Sequence, residues 1–426
     1  MEAEMKLDKW GYEVRTRSDA CISAINSYYN QVLSYGRERS VIPEAPKSDP
    51  ECVLGNILAA HFLCSSDSSR APEFIDAAKS HLEYASSYKK AVFEAIKYFI
   101  SSDRDDDLAV QMHSEVLPVN DHEDYIYGLV AFPLPELGRI KDAEKAGKRG
   151  YDHNKNDSWS HHALCHVYQY ECRFKEAAEF MNIVQDHGVL YHVSCVYTHN
   201  WWHVALCYLE GHAPMIKIRE IYDECIWKEL ERSDATPPEV YLNALGLLLR
   251  VYIRGAHDIF KDRLNDLANR VTDQAVWFLE WHLVILISWA LSFTGRYNEA
   301  EDLLKGLKSR VSMMTKKKQR QMHRALALAE ALYKYGKGNY KEALELLRHD
   351  FDAINYKIIG ALNEQLDVFT EVHITLLLET GEASAAVQAI QKQLNKREGA
   401  PFLWSLLEAA ASYGEKAKQL ESSYFT

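Results

Sequence analysis

Two pairs of histidines are the residues of this chain whose type and spacing could support chemistry. His162 and His166 stand four residues apart, and so do His199 and His203. In an α-helix, residues four apart lie on one face, one turn from each other. Two such helices packed side by side would bring four imidazole rings toward a common point. The stretch 159–211 is therefore the candidate centre of the protein.

Three roles are open for these histidines. The H-x-x-x-H spacing suits a metal site with all four rings as candidate ligands, although neither pair has the H-E-x-x-H sequence. Clustered imidazoles could instead exchange protons or bind an anion near neutral pH. The third role is structural, as a network of histidine and indole N–H groups that joins adjacent helices. The spacing by itself does not decide between them.

The helices that must position these rings belong to an internal repeat. A G-x-x-x-x-A motif begins at Gly138 and recurs 34 residues later, where Cys172 takes the place of the glycine. It returns at Gly295, Gly338 and Gly381, which are spaced 43 residues apart. In a helix–turn–helix unit the glycine ends the first helix at positive φ, and the alanine lets the second helix approach closely. A 34-residue period of this kind is typical of tetratricopeptide repeats.

The repeat predicts an all-α fold, a superhelix of tetratricopeptide-like helical hairpins (an α-α solenoid). We expect residues 1–115 to form an N-terminal helical cap with the first hairpins. Residues 116–426 should form the repeat superhelix, continuous with that cap. No strand-like alternation of any length interrupts the helical pattern.

In such an array the first helix of each hairpin lines a concave groove. Both histidine pairs fall on helices of this class in successive units, so the four rings are expected to share the groove. Trp159 and Trp202 are expected beside them, and His282 is a further candidate on a later inner helix.

Composition restricts the partners. A hydrophobic content of 47% with 26% charged residues is typical of a globular chain. The formal net charge of −12 argues against a nucleic-acid partner, which needs a basic face. No segment has the apolar length of a signal peptide or a membrane span, so neither is expected. Eight cysteines without a C-x-x-C motif favour reduced thiols and a cytoplasmic location.

Several blocks of the chain resemble the tetratricopeptide repeat protein 38 family, most closely its plant branch. They read YGLVAFPLPELG, DSWSHHALCHV, THNWWHVALCYLEG and, late in the chain, EQLDVF. The resemblance covers the chain from Leu7 onward and implies a cytosolic all-α repeat fold whose biochemical activity is not settled. The family pattern has its histidines at the positions of His162, His166, His199, His203 and His282.

The chain departs from that family pattern at residues that could assist the histidines. Gln169 stands where the resemblance leads one to expect a glutamate, one turn beyond His166, and Asn243 stands in place of an aspartate. Leu362 and Leu366 replace a serine and an arginine of the late block. Because these changes remove polar and charged partners, they favour ligand binding or scaffolding over catalysis.

Other family positions are retained. Arg250 is kept and is the natural partner for an anion, because its guanidinium is planar and always charged. Gln365 and Asp367 match the late block and could complete the groove from its far side. One helical hairpin of the family is missing, which predicts a join near Glu115–Val116.

Taken together, the sequence predicts a cytoplasmic scaffold that binds a peptide or a small anionic ligand in its inner groove, with no nucleic-acid or membrane partner. The alternative is a metal-dependent or histidine acid–base enzyme, hydrolase-like, in which a divalent metal is the cofactor. The candidate groove residues are Trp159, His162, His166, His199, Trp202, His203, Arg250, His282, Gln365 and Asp367.

Overall fold

The structure is a computed structural model. It describes residues 5–34, 38–66, 70–99, 125–186, 195–232, 235 and 237–424.

Nearly all regular structure in the described ranges is α-helical, as the repeat predicted. The α-helices, in chain order, are α1 Asp19–Leu33, α2 Glu44–Ser48, α3 Val53–Ser66, α4 Ala71–Ser80, α5 Ser87–Phe99, α6 Ile126–Ala131, α7 Ile140–His153, α8 Ser158–Tyr170, α9 Phe174–Asp186, α10 Cys195–Glu210, α11 Met215–Ile221, α12 Pro237–Ile253, α13 His257–Arg270, α14 Trp281–Phe293, α15 Tyr297–Met313, α16 Lys316–Gly336, α17 Tyr340–Leu347, α18 Asn363–Glu379, α19 Ala383–Leu394 and α20 Pro401–Tyr424. Helix α11 continues into a π-helical turn, Tyr222–Ile226, and a 3-10 turn, Trp227–Glu231.

A small β-hairpin that the sequence analysis did not predict precedes the first helix, and so it does not interrupt the helical array. Strand β1, Met5–Leu7, pairs antiparallel with β2, Glu13–Arg15. The turn between them holds Gly11 at φ 80°, and the Asp8 carboxylate accepts the backbone N–H of Tyr12 at 2.9 Å. Strands of three residues are too short to show an alternating pattern in the sequence.

The turn chemistry predicted for the repeat is confirmed. The motif glycines have positive φ: Gly138 71°, Gly295 80°, Gly338 76° and Gly381 84°. Cys172 takes the same conformation at φ 59°, although a side chain disfavours it. The motif alanines are fully buried, namely Ala143, Ala177, Ala300, Ala343 and Ala386. Their small side chains allow the second helix of each hairpin to approach the first closely, as the motif predicted.

The described helices pack mainly as sequential pairs. Helix α14 packs against α15 and α16, α16 packs against α17, and α18 packs against α19. Helix α14 is apolar and buried from His282 through Ser292, and it is also in contact with α12. Helix α12 in turn contacts α18. These buried helices provide a rigid frame for the polar side chains described below.

The chain divides into two compact units. The first unit comprises 1–134, 142–163 and 187–196, and the second comprises 135–141, 164–186 and 197–426. The core of the first includes Ile25, Ile42, Ile57 and Phe93. The core of the second includes Trp202, Trp289, Phe260 and Phe369.

Two predictions about the domain organisation of the chain concern residues outside the described ranges. The boundary at 115–116 and the missing hairpin near Glu115–Val116 lie within 100–124, outside the described residues. They stay predictions. Among the described helices, none is long and apolar enough to cross a membrane.

Candidate functional site

Three of the four predicted histidines meet in the second unit. His199 and His203 lie one turn apart on α10, and His166 comes from α8. The His203 ring centroid is 4.7 Å from that of His166 and also 4.7 Å from that of His199. We call His166, His199 and His203 the imidazole cluster. The i, i+4 spacing therefore placed the two α10 rings on one face, as predicted.

Amide side chains fix the orientation of two rings in this cluster. Asn243 donates from Nδ2 to Thr198 Oγ1 at 3.1 Å and to the Glu239 carbonyl at 3.0 Å. Its Oδ1 is thereby turned toward His199 Nδ1, at 3.1 Å. Because an amide oxygen can only accept, His199 Nδ1 carries the proton and Nε2 offers its lone pair.

His203 is held in the same way. Its Nδ1 lies 2.9 Å from Oε1 of Gln169, one turn beyond His166 on α8. Gln169 and Asn243 are the two positions singled out in the sequence as amides in place of expected carboxylates. Both contact the imidazole cluster directly, so these two amides fix the orientation of the two rings.

Two glutamates complete the cluster. Glu364 lies in the first turn of α18. Its Oε2 is 3.8 Å from His166 Nδ1. Glu136, just after α6, accepts the backbone N–H of Asn363 at 3.1 Å and lies 3.7 Å from Lys357 Nζ. We call Glu136 and Glu364 the carboxylate pair.

The two kinds of group respond oppositely to burial. Burial lowers the pKa of His166 to about 3, with a further decrease from His199, and lowers that of His199 to about 4. Burial, followed by repulsion from Glu136, raises the pKa of Glu364 well above its usual value. Burial also raises the pKa of Glu136, although Asn363 and Lys357 oppose this. Burial therefore favours the neutral form of His166 and of His199 near pH 7, and it favours the protonated form of Glu364.

Donor atoms in the cluster are close enough to hold a metal ion. Those of His199, His203 and Glu364 all lie within 4.8 Å of one another, and so do those of Glu136, His166 and Glu364. Glu364 belongs to both groups.

A cavity of about 360 Å³ in the second unit reaches this cluster. Its polar lining includes His166 and Gln169 and both members of the carboxylate pair. Arg250 and Arg397 contribute cationic groups to its wall. Pockets for small molecules commonly have volumes of about 300–1,000 Å³ with a few convergent polar groups.

Arg250 is the buried cation of this cavity. It belongs to α12, and its side chain is 2% exposed. The guanidinium carbon lies 5.4 Å from the ring centre of Trp202. It donates to the backbone carbonyls of Gly246, at 3.3 Å, and of Glu364. Burial lowers its pKa, whereas the carboxylates of Glu371 and Asp367 raise it. Within the described part of the chain, Arg250 forms no ion pair.

An ion network closes one wall of the cavity. Glu210, at the end of α10, accepts hydrogen bonds from Arg254, at 3.1 Å, and from Arg397. Arg254 also makes a bidentate pair with Glu371 of α18, at 2.7 and 2.9 Å. Arg397 reaches Asp367 at 3.7 Å. This network, Glu371–Arg254–Glu210–Arg397, links α18, the end of α12, α10 and the segment before α20.

The other predicted site residues of the second unit lie near the cavity but differ in role. Trp202 stacks on His199 with ring centroids 5.2 Å apart. His282 is 4% exposed and packs edge-on against Phe369. Gln365 accepts the backbone N–H of Leu362 at 2.9 Å and so caps α18, whereas Asp367 lines the cavity.

Trp159 and His162 belong to the first unit. Trp159 donates from Nε1 to the carbonyl of Leu33 at 2.8 Å. The His162 ring is 1% exposed and stacks on Phe132 with ring centroids 5.0 Å apart. Their membership of the groove stays a prediction.

The sequence analysis missed four side chains of the candidate site: Glu136, Glu210, Glu364 and Arg397. Glu364 lies within the EQLDVF block, next to Gln365, which was chosen instead. Glu364 and Asp367 are three residues apart and share one face of α18, so helical spacing could have indicated Glu364. Glu136 and Arg397 lie outside the long helices, and no spacing links them to the histidines.

A comparison of the chain with models of protein families finds no match. The resemblance to the tetratricopeptide repeat protein 38 family thus stays a prediction.

Proposed function

We propose that the second unit binds a small ligand bearing a carboxylate, with Arg250 as its anchor. The observation that carries this proposal is a buried guanidinium that lines a cavity and whose hydrogen-bond partners, among the described residues, are backbone carbonyls. A buried charge is costly unless it is paired, and a carboxylate matches the fork of an arginine bidentately. A ligand carboxylate would provide this partner.

Four of the five carboxyl side chains of the cavity have a cation other than Arg250 within ion-pair distance. Glu210 pairs with Arg254 and Arg397, and Asp352 pairs with Lys392 at 2.7 Å. Arg397 also lies 3.7 Å from Asp367, Lys357 lies 3.7 Å from Glu136, and burial favours the protonated form of the fifth carboxyl, that of Glu364. Among the described residues that line the cavity, Arg250 is the buried cation that has no carboxylate within ion-pair distance.

We further propose that the helical pairs form the tetratricopeptide-like superhelix predicted from the repeat, with this cavity inside its groove. The positive φ of the motif glycines and the buried motif alanines support that architecture. A volume of about 360 Å³ favours a small molecule over a peptide segment. A cytoplasmic location stays a prediction, supported by the free cysteines of the described residues.

The proposal is tested by thermal unfolding of the full chain with acetate, propionate, succinate and inorganic phosphate as probes. At least one carboxylate should raise the unfolding temperature of the wild type in a concentration-dependent manner. Arg250→Met should remove that increase, because a charge-assisted pair contributes about 1.5–3 kcal/mol. Arg320→Met, on an exposed part of α16, is the matched control and should keep the response.

Three outcomes contradict the proposal. They are stabilisation by phosphate alone, no stabilisation by any carboxylate of the set, and equal stabilisation of the wild type and Arg250→Met.

The predicted alternative, a metal-dependent enzyme, is favoured by a separate observation. Histidine and carboxylate donor atoms converge beside the same cavity.

A further inference from the structure

The imidazole cluster and Glu364 form a set of donor atoms that face one another. The donor atoms of His199, His203 and Glu364 lie within 4.8 Å of one another. Tetrahedral ligands held about 2.1 Å from an ion are about 3.4 Å apart. Small rotations of the three side chains would therefore bring all three onto one ion.

The outer contacts of the two histidines are those of metal ligands. In metal sites the ring nitrogen that does not bind the ion donates to a neighbouring acceptor, which fixes the tautomer and the ring plane. Here Asn243 accepts from His199 Nδ1 at 3.1 Å, and Gln169 accepts from His203 Nδ1 at 2.9 Å. Each ring is therefore left with the Nε2 lone pair as its donor.

The third donor lacks the cationic partner that a buried structural carboxylate would have. The Glu364 side chain is 15% exposed, and among the described residues no lysine or arginine lies within ion-pair distance of its carboxyl. A purely structural role would be better served by glutamine or an apolar residue, because a buried carboxyl without a cationic partner is destabilising. A cation would satisfy both oxygens.

We infer that His199, His203 and Glu364 bind one divalent transition-metal ion, with Asn243 and Gln169 as positioning residues. Two imidazole nitrogens and one carboxylate oxygen suit Zn²⁺ and its first-row neighbours rather than Mg²⁺ or Ca²⁺, which prefer oxygen ligands. His166 and Glu136 flank this ion without being needed to hold it. Glu136 already has Lys357 and the Asn363 N–H as partners.

Three protein ligands leave a coordination position for a water or a ligand atom, which is the arrangement of catalytic rather than structural zinc sites. Glu364 lines the cavity, so that position opens toward it. Arg250 donates a hydrogen bond to the backbone carbonyl of Glu364, so the proposed ligand-binding guanidinium and the proposed ion lie at the same cavity. A carboxylate ligand on Arg250 would thus present its neighbouring groups to a Lewis acid.

The test uses the full-length, untagged chain, stripped of metal with a chelator and then titrated with Zn²⁺ and, separately, with Co²⁺. Calorimetry should give one Zn²⁺ per chain, and Co²⁺ should give the visible absorption of a low-symmetry nitrogen and oxygen site. Glu364→Gln and His203→Gln should each weaken Zn²⁺ binding at least 100-fold. Gln169→Leu, which removes only the outer contact, should weaken it about 10- to 100-fold.

His161→Gln is the matched control, because His161 is also a buried histidine, 1% exposed, but lies in the first unit. It should bind Zn²⁺ like the wild type. Glu364→Gln also separates folding from binding, since this change replaces a buried carboxyl that has no lysine or arginine partner among the described residues. The metal-free variant should unfold at or above the wild-type temperature and yet lose the stabilisation by Zn²⁺.

Failure of the wild type to bind Zn²⁺ or Co²⁺ would overturn the inference. So would equal Zn²⁺ affinities of the wild type, Glu364→Gln and Gln169→Leu. The titration contains no organic ligand, so its result is independent of whether Arg250 binds a carboxylate.

Discussion

Glu210 provides the sharpest test of how the cavity wall is held together. Its side chain is 7% exposed and accepts hydrogen bonds from two arginines, Arg254 and Arg397, that belong to different segments of the second unit. Glu210→Gln keeps the shape of the side chain but removes the charge and turns one acceptor into a donor. That donor then faces a guanidinium, which has no acceptor to offer.

The expected cost follows from the two contacts. Removing one partner of a buried ion pair typically destabilises a protein by about 3–5 kcal/mol, because the remaining charge stays buried and unpaired. Arg254 keeps its bidentate partner Glu371, and Arg397 keeps Asp367 only at 3.7 Å. The glutamine oxygen can still serve one arginine. We therefore expect a loss of about 3 kcal/mol, at the lower end of that range.

Equilibrium unfolding in urea, followed by circular dichroism, measures this loss as a shift of the transition midpoint. Asp302→Asn is the control, because it breaks the exposed Asp302–Lys305 pair, whose side chains are 61% and 74% exposed. That change should cost no more than about 0.5 kcal/mol. A loss below about 1 kcal/mol for Glu210→Gln would refute the reasoning, because the network would then not hold the wall.

Two further predictions concern packing and pH. A Cβ at Gly336 would lie 2.0 Å from Ser292 Oγ and 2.9 Å from two backbone atoms of α14, so Gly336→Ala should lower the free energy of unfolding by about 1–3 kcal/mol. A Cβ at Gly246 would have its nearest neighbouring atom at 3.7 Å, so Gly246→Ala should stabilise α12 by up to about 1 kcal/mol. Midpoints of urea unfolding that rank the two variants in the opposite order would contradict this. Burial lowers the pKa of His161 and of His373 to about 4, below the 6.5 of an unfolded histidine. Between pH 6.5 and 4 the unfolded chain therefore binds more protons, and each residue should reduce the free energy of unfolding by up to about 1.4 kcal/mol per pH unit as the pH falls. His161→Gln and His373→Gln should flatten the stability profile in this window, and an unchanged slope would contradict the prediction.

Local features of the fold were predictable because they depend on neighbours in the sequence. The motif glycines end helices at positive φ whatever they pack against, and the motif alanines are needed wherever two helices approach closely. The N-terminal hairpin was not predictable, because its strands of three residues carry no measurable period. Its turn depends on Asp8 and Gly11, which are common in many other contexts.

By itself, the sequence determined the helices, the turns between them and the pairing of His199 with His203 on one face. A four-residue spacing on a helix is enough for that. Only the tertiary structure decided what faces those rings. It brought Glu364 and Gln169 to the cluster from other helices and Glu136 from a 3-10 turn. It also placed Arg250 beside a cavity with no carboxylate of the described residues within ion-pair distance. The physical reason is that contacts between residues far apart in the chain depend on how whole helices pack, and no local period records that packing.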